Sequence, residues 1–135
     1  MSFHKNFSTT PPPRRVLPLL EKIKSAYLLW YSYYQILPKP HRHSLGQRID
    51  TLFIETIEAI SIAAFLARQE KQPYIRLAIR KVDTLNILLM ILWETKSLEN
   101  KKYAALSIKI IEIGKMLGGW SGQILKQNSP KTGEK

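Results

Sequence analysis

His41 and His43 flank Arg42 in a turn that holds Pro38 and Pro40, and a His-x-His pair of this kind can give two nitrogens to a metal. No further His or Cys stands nearby, and His4 lies in the N-terminal head, so a solvated turn is the expected reading. Glu55 and Glu58 stand one helical turn apart, but a di-iron bundle needs Glu-x-x-His motifs that this sequence lacks. They are expected to be exposed or paired with Arg or Lys. There is no Walker A loop and no Gly-x-Gly-x-x-Gly to cradle a phosphate. No enzyme activity, cofactor or metal is therefore expected.

Basic side chains form the one constellation with a functional reading. Arg76 and Arg80 are one turn apart with Lys81 adjacent, and Lys102, Lys109 and Lys115 follow at spacings that suggest a broadly shared side. Such rows can track phosphates without reading sequence, the contact type that makes affinity salt-dependent. The competing reading is a solvated face in which Asp83 pairs with Arg80, and Glu112 with Lys109 and Lys115. Of the aromatics near residue 30, Tyr27, Trp30 and Tyr34 share a core stripe, which leaves Tyr31 or Tyr33 to stack on an unpaired base.

The bulk charge agrees with a polyanion partner. Lys and Arg number 21 against 10 Asp and Glu, a formal charge of +11; without residues 1–15 and 127–135 the balance is still 16 against 9. An excess of this size speeds encounters with nucleic acid or an anionic surface. The absence of cysteine excludes disulfides and thiolate metal sites and is compatible with the reducing cytoplasm, the expected location. The first 15 residues hold no apolar signal region, and the longest apolar run, Ile87 to Trp93, is far below the ~18 residues of a membrane span.

Proline divides the chain into the elements that must carry these residues. Pro11-Pro12-Pro13 closes a loose head over residues 1–15, and a bundle is expected over 16–126, followed by a polar tail over 127–135. Pro18 opens a first helix of about Leu17 to Leu37, with Leu20, Ile23, Tyr27, Trp30, Tyr34 and Leu37 on one stripe. Ser44 with Gln47 forms a capping-box signal for a second helix, Leu45 to Glu70. Gln72-Pro73 precedes a third, Tyr74 to Lys96, and Ser97 is the expected N-cap of a fourth, Leu98 to Leu125. Short links between helices of this length predict an all-α, antiparallel up-down-up-down four-helix bundle.

Two stretches are too apolar for a solitary bundle. Ala59 to Ala67 has one polar residue, Ser61, and Leu85 to Trp93 has only Asn86. A short helix apolar on nearly all sides belongs at an interface, so a cyclic homo-oligomer is expected, with a monomer shielded by Lys and Arg stems as the alternative.

Two segments carry a family resemblance: Leu37-Pro38 through His43-Ser44-Leu45-Gly46-Gln47-Arg48-Ile49, and Ile111-Glu112-Ile113-Gly114-Lys115-Met116-Leu117-Gly118-Gly119-Trp120. Over about residues 17 to 126 the chain resembles the accessory variability determinant (Avd) family of diversity-generating retroelements. The resemblance implies a homopentameric barrel of four-helix bundles with no enzyme activity of its own. Its basic surface is expected to engage the retroelement's reverse transcriptase and template RNA, or an RNA/DNA hybrid, in mutagenic cDNA synthesis. Members often carry arginines in the second half of the third helix, where this sequence reads Leu88-Leu89-Met90-Ile91-Leu92-Trp93. That departure shifts the expected polyanion face toward Arg76, Arg80 and Lys81, or weakens it. Related bundles encoded in ribosomal-RNA intervening sequences have no retroelement, which leaves a purely structural or protein-binding role as the alternative.

Overall fold

A computed structural model of the chain describes residues 16–129, the Leu17 side chain excepted. The expected head, 1–15, and the last six residues of the tail lie outside the described residues. Among those described there is no strand, and four long helices account for most of the chain: α1 (Val16–Tyr34), α2 (Gln47–Phe65), α3 (Gln72–Glu94) and α4 (Asn100–Asn128). Each packs on the next, and α1 packs on α4, which closes the four into a bundle.

The apolar periodicity becomes the core. Ile23, Ala26 and Trp30 of α1 meet Ile49, Leu52, Phe53 and Ile60 of α2; Ile75, Val82, Leu85 and Leu89 of α3 and Leu106, Ile110, Ile113 and Leu117 of α4 complete it. Aromatic rings knit the α1–α2 side: Trp30 stacks on Tyr34 with centroids 5.3 Å apart, and the Tyr27 ring meets Phe53 edge-on at 5.7 Å. Asp50 accepts a hydrogen bond from Trp30 Nε1 at 3.2 Å and another from the Tyr27 hydroxyl.

The helix ends differ from the expected ones, each for a local reason. α1 stops at Tyr34, three residues short of Leu37, because a residue before proline is driven out of helical geometry. The orphan carbonyl of Leu37 is taken by Nε and Nη2 of Arg42, at 3.3 and 3.2 Å. The chain then enters α2 through a turn at Lys39–His41 and a π-helical turn at Arg42–Gly46. Ser44 therefore lies within helical backbone and does not cap it; its hydroxyl donates to Pro40 O at 2.8 Å. Gly46 is buried where a Cβ would lie 3.0 Å from both His41 O and Leu37 Cδ1, so the close approach of α1's end requires glycine.

α2 ends at Phe65, five residues before Glu70. Leu66 is extended, a 3₁₀ turn spans Arg68–Glu70, and Lys71 folds back so that its Nζ donates to Ala63 O at 2.6 Å and Ala64 O at 3.2 Å. At 9% exposure, this is a lysine used as a buried C-terminal cap. α3 ends in a Schellman motif: Lys96 has φ of 67° and its N–H bonds Trp93 O, while Ser97 N–H bonds Leu92 O at 3.1 Å. Ser97 is thus not the N-cap of α4; Glu99 holds that position without a side-chain bond. The helix runs on to Asn128, so the first residues of the expected tail are helical.

Candidate nucleic-acid interface

α3 presents Arg76 and Arg80 to solvent, four residues apart on one exposed face. Together with Gln72 and Pro73 they line an open cavity at the start of the helix. Its floor is anchored, since Gln72 Nε2 donates to Ser121 Oγ of α4 at 2.8 Å. Neither guanidinium has an ion-pair partner among the described residues; the Arg80–Asp83 pair of the competing reading does not form. Two unpaired guanidiniums one turn apart can each hold a phosphate by bidentate hydrogen bonds.

Lys81 does not join them. A step of one residue turns a helix by about 100°, which carries Lys81 to the α2 seam, where Nζ lies 2.9 Å from Glu55 Oε1. Arg48 Nη1 reaches the same oxygen at 3.9 Å, so one carboxylate serves two cations. Arg48 was missed by the sequence reading, although it stands two turns before Glu55 on the same helix face. Glu55 is paired, as one of the two expectations had it; Glu58 is exposed and outside this cluster.

The α4 lysines also separate. Lys102 Nζ lies 5.4 Å above the Tyr33 ring, and Lys109 Nζ donates to Ser25 Oγ at 3.0 Å. Both lie along the α1 seam. Lys115, six residues beyond Lys109 and therefore about 120° around the helix, points to solvent and makes no ion pair among the described residues. Glu112 pairs with Lys22 of α1 at 2.9 Å, not with Lys109 or Lys115. The six basic residues singled out in the sequence thus fall into three settings: free on α3, engaged at the seams, and free on α4's outer face.

At the far end of the bundle, Lys96 and Lys102 line a polar cavity with Tyr33, Ser97 and Glu99. His41 is only partly solvated, since its Nδ1 is hydrogen-bonded to Ser97 Oγ and ties the first hinge to the α3–α4 turn. His43 is exposed. Among the described residues no group of three or more His, Cys, Asp or Glu could hold a metal, and no helix is long and apolar enough to cross a membrane. Tyr31 is exposed, whereas burial pushes the Tyr33 hydroxyl's pKa up and its ring lies under Lys102.

The sequence profile of the bAvd-like family matches residues 18–124, almost the whole bundle. The chain belongs to the bAvd-like family. Searches of curated proteins and of solved structures gave no match. The matched span takes in both segments that carried the resemblance, and it includes all six basic residues.

Proposed function

We propose that this bAvd-like chain is a non-catalytic accessory subunit of a diversity-generating retroelement, one that binds the reverse transcriptase and its template RNA. Membership of the family over residues 18–124 is the observation that carries this reading. Unpaired Arg76 and Arg80 on α3 supply the free cations that a phosphate backbone needs, with Lys115 on a separate face. Lys81, Lys102 and Lys109 take the secondary role of raising local potential from the seams. The subunit assembles as a cyclic homo-oligomer, a pentamer by resemblance to Avd. Ring closure covers the outer apolar residues of α2 and α3, Ile54, Ile62, Ile87, Met90 and Ile91, all exposed in the single chain.

The test is binding of the purified chain to structured RNA across a salt series, with pull-down of the cognate reverse transcriptase. Affinity that falls steeply with salt, and is carried mainly by Arg76 and Arg80, supports the reading. Recovery of a protein partner with no RNA affinity at low salt would favour the structural role instead.

A further inference from the structure

The turn between α3 and α4 carries a constellation that the arginine face does not include. Trp93, at the end of α3, stacks on Tyr103 of α4 with ring centroids 4.8 Å apart and planes 9° from parallel. Its Nε1 donates to Asn100 Oδ1 at 2.7 Å. One face and the polar edge of the indole are thereby fixed. The same indole is a wall of an open cavity of about 500 Å³, completed by Glu94, Lys96, Leu98, Glu99 and Asn100. That volume lies inside the ~300–1,000 Å³ range of small-ligand sites. Trp30 and Trp120 are buried, so among the described residues Trp93 is the tryptophan that a ligand can reach.

Charged side chains stand around that ring without partners. Glu94, Lys96 and Glu99 are near neighbours in sequence, yet none makes an ion pair among the described residues. Lys96 is also the non-glycine residue with positive φ, 67°, among those described. It fills the Schellman position where glycine is the usual residue, and backbone strain of this kind gathers at ligand clamps. Its side chain lines both this cavity and the polar one that holds Lys102 and Tyr33.

We infer that this cavity takes one unpaired guanine of an RNA strand. A flat base needs a rigid aromatic face, and Trp93, held by Tyr103 and Asn100, supplies it for stacking. A carboxylate only accepts hydrogen bonds. Guanine is the base whose Watson–Crick edge offers two adjacent donors, N1–H and the N2 amino group. Adenine and cytosine offer an amino group beside a ring acceptor, and uracil one N–H between two carbonyls. Glu94 or Glu99 on that edge therefore selects guanine. Lys96 meets the nucleotide's phosphate, while Lys102, held over the Tyr33 ring, adds positive potential behind it. The inference rests on the reading of the chain as an RNA binder and adds a separate site to it. Trp93 stands 13 residues beyond Arg80, about 20 Å along α3, so a strand is gripped by its backbone at one end of the helix and by a base at the other. The lining shares no residue with the apolar set that the ring covers.

The full chain is titrated with the single-stranded RNA UUGUU and with UUAUU, UUCUU and UUUUU, followed by anisotropy of the end-labelled strands and by tryptophan quenching with unlabelled ones. UUGUU is expected to bind about tenfold tighter than the other three and to quench most, as its base stacks on Trp93. Glu94→Gln and Glu99→Gln are made separately, and in at least one the guanine preference should vanish while affinity for UUUUU does not fall. Trp93→Leu, its fold verified by circular dichroism, should weaken UUGUU about tenfold and leave the salt-dependent binding of structured RNA by Arg76 and Arg80 in place. Lys96→Gly suits left-handed backbone, so it should raise the melting temperature while weakening all four strands alike; a purely structural lysine would leave binding unchanged. Equal affinity for the four strands, or a guanine preference that survives Trp93→Leu and both glutamine variants, overturns the inference. Salt-dependent binding of structured RNA without guanine preference removes the pocket and leaves the proposed function. Guanine preference without that binding keeps the pocket and removes the arginine face, and no RNA binding of either kind removes both.

Discussion

Lys71 shows how far a single side chain can depart from its usual part. It contributes to the formal charge of +11, yet its Nζ is spent on the carbonyls of Ala63 and Ala64 and lies 5.9 Å from the Trp120 ring. Burial lowers its pKa. Lys71→Met keeps the stem and deletes the donors, leaving the Ala64 carbonyl without this partner and the Ala63 carbonyl with only the 3.4 Å bond from Leu66 N–H, and should destabilise the fold by about 1–3 kcal/mol in urea titration. A loss within error would mean water replaces the cap. Tyr27 supplies the pH dependence. Burial, the hydrogen bond to Asp50 and that carboxylate's charge push its pKa from 10.0 to about 12. The unfolded chain then holds fewer protons than the folded one between about pH 10 and 12, so this contribution is intact below pH 10 and is lost as pH rises through that window. Tyr27→Phe should flatten the fall in melting temperature over that window; an unchanged profile would assign the alkaline loss to other groups. Arg76 and Arg80 belong to this scale as well. Replacing both with Ala should lower the slope of log affinity for RNA against log salt by about 0.7–0.9 for each phosphate no longer neutralised, whereas Lys81→Ala, whose partner is Glu55, should leave the slope nearly unchanged.

At the level of elements, two glycines in helical backbone make opposite predictions. Gly46 is enclosed by His41 O, Leu37 Cδ1 and Tyr34 Cε1 at 3.0–3.1 Å, so Gly46→Ala forces α1's end away from the π-turn and destabilises. Gly118 is open to solvent in the single chain, so Gly118→Ala should stabilise it by about 0.5–1 kcal/mol through helix propensity alone. Thermal melts of the two variants should move in opposite directions, and movement in the same direction would refute the local account. The contrast also marks what the sequence could disclose. Periodicity set by Ile23, Trp30, Leu106 and Ile113 was enough to place α1 and α4, because core burial obeys a local rule, while α2 and α3 were marked off by the prolines at 38, 40 and 73. The ends were not legible, because they are set by partners distant along the chain or by side chains folding back: Arg42 on Leu37, Lys71 on Ala63, His41 on Ser97. The candidate site divides the same way. Arg76 and Arg80 are paired by a spacing of four, which any reading of the sequence can see; Lys81 is diverted by Glu55, 26 residues away, which none can.

Over the whole molecule, the governing tension is between charge and grease. An excess of cations keeps copies apart, while Leu28, Ile36, Ile54, Ile62, Ile87 and Ile108 stand exposed around the bundle. Assembly resolves it if the apolar faces are covered and the cations remain outside to meet a polyanion, which then screens their mutual repulsion. In such an assembly RNA binds several subunits at once, and affinity exceeds that of one subunit by far more than the sum of its contacts. Ile87→Lys separates this account from simple charge attraction. Ile87 is 54% exposed, so the change should cost the single chain no more than about 0.5 kcal/mol. It adds one positive charge, and a charge-only account expects RNA to bind slightly tighter. If α3's outer face is a subunit contact, the new lysine breaks the assembly and RNA affinity instead falls at least tenfold, with the sedimentation coefficient falling in step. Tighter binding at unchanged mass would leave the charge-only account standing and remove α3 from the interface.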